Sequence, residues 1–260
     1  MPTLLIRNAD CIATLDDAHT ELRSASILVR DGFVEAIGPA DALPLMADRV
    51  IDARGHAVVP GLVNTHHHMY QSLTRAVPGA QDAELFGWLQ TLYPLWGGLT
   101  PEMIRASTLT AMAELILSGC TTSSDHLYIY PNGSRLDDSI EAAREIGMRF
   151  HACRGSMSVG RSAGGLPPDH LVEDEAAILA DSRRLIETWH DPARHAMLRV
   201  ALAPCSPFSV STDLMRESAV LARSYGVSLH THLAENDNDV AYSRARFGMT
   251  PAEYAESLGW

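Results

Sequence analysis

No lysine occurs in the 260 residues; all 20 basic side chains are arginine. That removes lysine Schiff-base chemistry, a phosphate-loop lysine and a metal bridge built on a carboxylated lysine. Cysteine is scarce. The four, Cys11, Cys120, Cys153 and Cys205, form no CxxC pair, so neither a disulfide framework nor a thiolate zinc site is signalled. No stretch approaches the roughly 18 to 20 consecutive apolar residues of a membrane span. The opening MPTLLIRNAD is broken by Arg7 and Asp10, which is not the pattern of a secretory leader. Positive charge is also short, with 32 acidic against 20 basic residues and a net charge of −12. Such a surface repels phosphate backbones and anionic lipid, so no nucleic-acid or membrane partner is expected. The expectation is a soluble, cytoplasmic, reduced protein acting on a small molecule, with homo-oligomerisation left open. At 46% hydrophobic residues it has the means for a sizeable core.

Histidine, by contrast, is plentiful, with 12 residues. Its placement follows the organisation of the chain. Short β-rich runs at 3–6, 26–29, 33–37 and 50–51 are separated by turns such as Arg30-Asp31-Gly32, which reads as small antiparallel β structure over residues 1–57. From residue 58 the rhythm becomes strand–helix alternation, with strands expected at 57–64, 120–124, 149–153, 198–203 and 227–232. Helices are expected at 101–118, 138–146, 169–189, 212–225, 239–247 and 251–257, the first capped by Thr100 with Pro101 behind it. Alternation at this spacing predicts parallel βαβ units and an α/β fold. The Gly-, Ser- and Pro-rich loop at 155–168 follows the third strand, where barrels place function.

His66-His67-His68 closes the first of these strands. Alternation along a strand puts His66 and His68 on one face, where two imidazoles can grip a transition metal. The triplet alone leaves open a polar, solvated strand end. The run Leu229-His230-Thr231-His232-Leu233-Ala234-Glu235 closes the fifth strand and changes the balance. His232 becomes a third nitrogen ligand, His230 lies one layer deeper, and Glu235 stands in the loop beyond as a proton shuttle.

Together PGLVNTHHHMYQSLTRA (60–76) and LHTHLAE (229–235) resemble the amidohydrolase superfamily, specifically its nucleobase, nucleoside and triazine deaminases. LYPLW, ELILSGCTTSSDH, RGSMS, GGLPP and APCSPFSVS carry the likeness further, toward the members acting on oxidised purines. The resemblance implies a (β/α)₈ TIM-type metal-dependent hydrolase barrel, of which residues 58–260 supply about five βα units. It also implies a composite β-sandwich, of which residues 1–57 supply the N-terminal part. One divalent metal, zinc first and iron second, is implied on His66, His68 and His232. The superfamily's fourth ligand, an Asp on strand eight, and a His on strand six have no counterpart among these 260 residues. A continuation beyond Trp260 is expected to supply both.

The implied reaction is hydrolytic deamination of a purine-type base, with 8-oxoguanine giving urate and ammonia as the first expectation. Metal-activated water attacks the amine-bearing carbon while Glu235 shuttles the proton. Triazine, guanine or nucleoside aminohydrolysis is the alternative, and a metal-binding chain without turnover is the alternative of another class. Gln71 is expected at the purine edge, Arg154 at a substrate carbonyl or in a structural salt bridge, and Trp88 and Trp96, with Tyr93, in the loop after the first strand as stacking surfaces or as core. Cys205 is expected to line the pocket as a small hydrophobe. Nucleoside-deaminating relatives tend to carry Glu near Trp96 and His near Cys205; their absence here favours a free base. Asp125 and His126 are read as structural, supporting the site from behind.

Overall fold

A computed structural model describes residues 2–260, which divide into two compact units, 2–61 and Leu62–Trp260.

The first unit is a five-stranded sheet built from β1 (Thr3–Ala13), β2 (Glu21–Arg30), β3 (Phe33–Pro39), β4 (Arg49–Asp52) and β5 (Ala57–Val58). The path runs β3-β2-β1-β4, with β5 also pairing with β1. The β2–β3 hairpin turns through Asp31 and Gly32, both at positive φ, as a two-residue turn matched to strand twist requires. Ala9, Ile12, Ala25, Ile27 and Ala53 form its core. The 57–64 strand expected from sequence is in fact two. Ala57–Val58 pairs with β1, and Leu62–Asn64 joins the other unit's sheet as β6. Pro60, which has no backbone donor, falls in the gap between them.

The second unit holds a parallel sheet in the order β10-β9-β8-β7-β6, a half-barrel with helices on its outer face. Its further strands are β7 (Cys120–Leu127), β8 (Arg149–Ser156), β9 (Leu198–Pro204) and β10 (Ser228–Leu229). The helices are α1 (Leu85–Trp96), α2 (Pro101–Leu117), α3 (Leu136–Ile146), α4 (Glu175–Trp189), α5 (Thr212–Tyr225), α6 (Asp237–Phe247) and α7 (Pro251–Ser257). Capping sets several boundaries. Thr100 accepts from the Met103 amide at the start of α2, Ser211 does the same for α5, and Gly226 closes α5 in the left-handed region, the usual stop for a helix.

The outward sides of the strands, including Phe150, Ala152, Val200 and Leu202, pack with Ile104, Met112, Leu136, Ile140 and Leu185 into one continuous core. The inward side carries small residues, Cys153, Ala201 and Ala203. Two helix expectations need correcting. Helix α4 begins at Glu175, where Asp174 caps it, and residues 169–171 form a separate 3₁₀ turn. The stretch holding Trp88, Tyr93 and Trp96 is not loop but α1; its start lacks a capping side chain and Pro94 sits inside it, so both sequence signals of a helix are inverted there. Among the described residues no helix is long and apolar enough to cross a membrane.

Candidate metal centre

Parallel strands in one sheet present all their carboxyl ends at one rim, where barrels assemble their sites. His66 and His68 follow β6 and His232 follows β10, the two terminal strands of the sheet. Pairing continues past β10 through the His230 amide to the Leu202 carbonyl and the His232 amide to the Cys205 carbonyl, both at 3.0 Å. The sheet curls enough for the terminal strands to meet through their side chains. The Nε2 atom of His68 lies 3.1 Å from Nε2 of His66 and 3.0 Å from Nε2 of His232.

The other nitrogens of these rings settle what the cluster is chemically. His68 donates from Nδ1 to the His126 carbonyl at 2.7 Å, and His232 from Nδ1 to the Cys205 carbonyl at 2.7 Å. Each Nε2 therefore carries a lone pair, and two lone pairs face each other at hydrogen-bond distance with no proton between them. That arrangement is repulsive alone and becomes favourable around a cation. Burial holds the His68 ring well below the usual imidazole range and lowers His232 to about 4, so both are neutral donors at neutral pH. The donor set thus fits a divalent transition metal, and three imidazoles leave one coordination position open, as in hydrolytic rather than structural zinc sites. His66, His126 and His230 also bring ligand atoms within 4.8 Å of one another, sharing His66 with the first triad.

A cavity of about 240 Å³ opens on His66, His68 and His232. Of the residues singled out in the sequence, Gln71, Trp88, Cys205 and Glu235 line it. Leu85, Leu89, Tyr93, Tyr128, Ser206 and Phe208 complete the wall. Tyr128 and Phe208 were not singled out from sequence; one follows the β7 strand end and the other sits within APCSPFSVS, both positions that a barrel rim would expose. Glu235 is half-buried, and burial together with neighbouring Asp239 raises its carboxyl above the usual range. Burial pushes the Cys205 thiol up to about 12, so it is no thiolate nucleophile.

Two expected substrate contacts are not brought to the cavity. Arg154 is only 2% exposed and is spent on structure. It pairs with Glu173 at 2.7 Å and Asp181 at 2.9 Å, with its guanidinium over the Tyr130 ring. Trp96 is fully buried, its indole N–H bound to Thr74 Oγ1, and belongs to the core. The supporting role read for Asp125 and His126 has concrete form. Asp125 accepts from the Met69 amide at 2.7 Å just after His68, and burial raises its carboxyl to about 7. His126 carries the carbonyl that fixes His68, and its ring holds the Ala203 carbonyl at 2.9 Å.

Residues 57–260 match the model of the amidohydrolase family. The chain belongs to the amidohydrolase family. Among relatives in the family, it is 46% identical over 258 residues to 8-oxoguanine deaminase from Pseudomonas aeruginosa, covering 98% of this chain and 57% of that protein. It is 37% identical to hydroxydechloroatrazine ethylaminohydrolase from Pseudomonas sp. strain ADP, covering all of this chain and 56% of the relative. The crystal structure of an atrazine chlorohydrolase from Arthrobacter aurescens TC1, complexed with zinc, superposes with a TM-score of 0.92 at 33% identity, covering 99% of this chain and 58% of the other. The chain thus spans a little over half the length of these family members.

Proposed function

We propose that this chain holds one zinc ion on His66, His68 and His232 and serves the hydrolytic deamination of a purine-type base, 8-oxoguanine giving urate and ammonia. One observation carries the reading: three imidazoles bring their Nε2 atoms together at the mouth of a cavity whose single lining carboxylate, among the described residues, is Glu235. When bound, such an ion supplies a nucleophilic water near neutral pH.

The chain's own groups do the rest. Trp88, Tyr93, Tyr128 and Phe208 wall a slot suited to a flat heterocycle. Its volume of about 240 Å³ accommodates a single fused ring system. Gln71 offers an amide to the polar edge of the base. Glu235, held less acidic than usual, takes a proton from the attacking water and passes it to the ring nitrogen beside the amine-bearing carbon. A second transfer to the amine lets the C–N bond break with ammonia as the leaving group. The 46% identity to an 8-oxoguanine deaminase supports this choice of base.

Ammonia release by the zinc-loaded chain, measured across purines, pterins and hydroxytriazines, tests the reading. Turnover of 8-oxoguanine is expected. Silence on it with turnover of hydroxytriazines overturns the substrate, and zinc bound without any turnover leaves the chain a metal-binding one.

A further inference from the structure

Each of the three rings around the proposed zinc site has its second nitrogen occupied, but not in the same way. For His68 and His232 the partner is a backbone carbonyl, at 2.7 Å in both cases. For His66 it is a side chain: Nδ1 lies 2.8 Å from Nε2 of His230, and the two rings lie within 17° of parallel with centroids 5.0 Å apart. A carbonyl can only accept, so it fixes a tautomer outright; an imidazole fixes one only if its own nitrogen is the acceptor. His66 is also the most exposed of the three, while His68 and His232 are partly buried. Its ring therefore has the least packing to orient it.

The geometry points to His230 as the positioning residue for His66: its Nε2 accepts the Nδ1 hydrogen of His66 and thereby turns the His66 Nε2 lone pair toward the metal. The inference rests on the zinc reading above and deepens it. His230 leaves β10 two residues before His232 and faces the same interior, so one strand end supplies both a ligand and the support for a ligand on the opposite strand. Partners of this kind around zinc-bound imidazoles are worth about 10- to 100-fold in metal affinity.

The test is zinc affinity, measured by chelator competition on the purified chain, for wild type, His230→Leu and His230→Gln. Leucine removes the acceptor; the glutamine amide oxygen reaches about where Nε2 sits. His230→Leu is expected to weaken zinc by about 10- to 100-fold, and His230→Gln to recover most of that loss, with metal-free melting alike for both variants. Equal affinity in wild type and His230→Leu, or equal loss in both variants, overturns the inference while leaving the metal site standing. Failure of the wild-type chain to bind zinc overturns the site and the inference together. Should His230→Leu melt before titration, His230→Asn, whose amide stops short of His66, takes its place with the same expected loss.

Discussion

Glu235 and Arg154 are both charged residues beside strand ends, and their surroundings give them opposite tasks. Glu235 lines the cavity, where burial and then neighbouring Asp239 raise its carboxyl, so it takes up a proton more readily than an exposed glutamate. Replacing it with glutamine keeps the shape and removes the proton transfer. We expect kcat to fall by about 10²- to 10⁴-fold while zinc affinity is unchanged, as read by parallel turnover and chelator-competition measurements. Arg154 instead is enclosed with two carboxylates and an aromatic face. Arg154→Met leaves Glu173 without its cation, while Asp181 keeps Arg184 at 2.8 Å, and should cost about 3 kcal/mol of stability, seen as a lower urea midpoint. A substrate-binding arginine would instead raise KM with the midpoint kept. From sequence the two residues look alike, because what separates them is partners 19 and 27 positions away in the chain.

Between elements, the ledger of polar contacts shows how the helical layer is fastened. Asp137, in the first turn of α3, reaches α4, accepting from Arg184 at 2.7 Å and from the Trp189 indole at 2.9 Å. Burial alone raises its carboxyl, but the Arg184 and Trp189 hydrogen bonds outweigh it and the net value is lowered to about 2. A carboxyl depressed on folding adds stability that is fully present above its unfolded value near 3.8 and is lost as pH falls toward 2. That contribution is about 2 kcal/mol. Chemical unfolding of wild type and Asp137→Asn at pH 5 and pH 2.5 should show the pH-dependent difference in wild type and its loss in the variant. Element boundaries were legible at the caps Thr100, Ser211 and Gly226, but not at Asp174, whose cap starts α4 six residues later than expected. Helix α1 was not, since an uncapped start and an internal proline contradict its apolar face.

At the scale of the molecule, the HxH patterns at 66–68 and 230–232 were legible because a strand fixes which side chains share a face. That two of the five strands end in such pairs then predicts a shared site. The parallel sheet holds β6 and β10 at its opposite edges, and its curl brings their imidazoles to 2.8–3.0 Å across the sheet. The same curl bridges 164 residues of sequence, so metal should stabilise the half-barrel as a whole. Zinc at 100 times its Kd should raise stability by about 2.7 kcal/mol, and His232→Ala should abolish the gain. The lack of lysine agrees with a single ion, since no carboxylated lysine is available to bridge two. X-ray absorption at the zinc edge of the loaded chain tests the central claim most directly. One zinc per chain with three imidazole nitrogens at about 2.0–2.1 Å and a light-atom fourth ligand is expected; a sulfur at about 2.3 Å, which Cys205 would provide, or fewer than three imidazoles would rule out the three-histidine site.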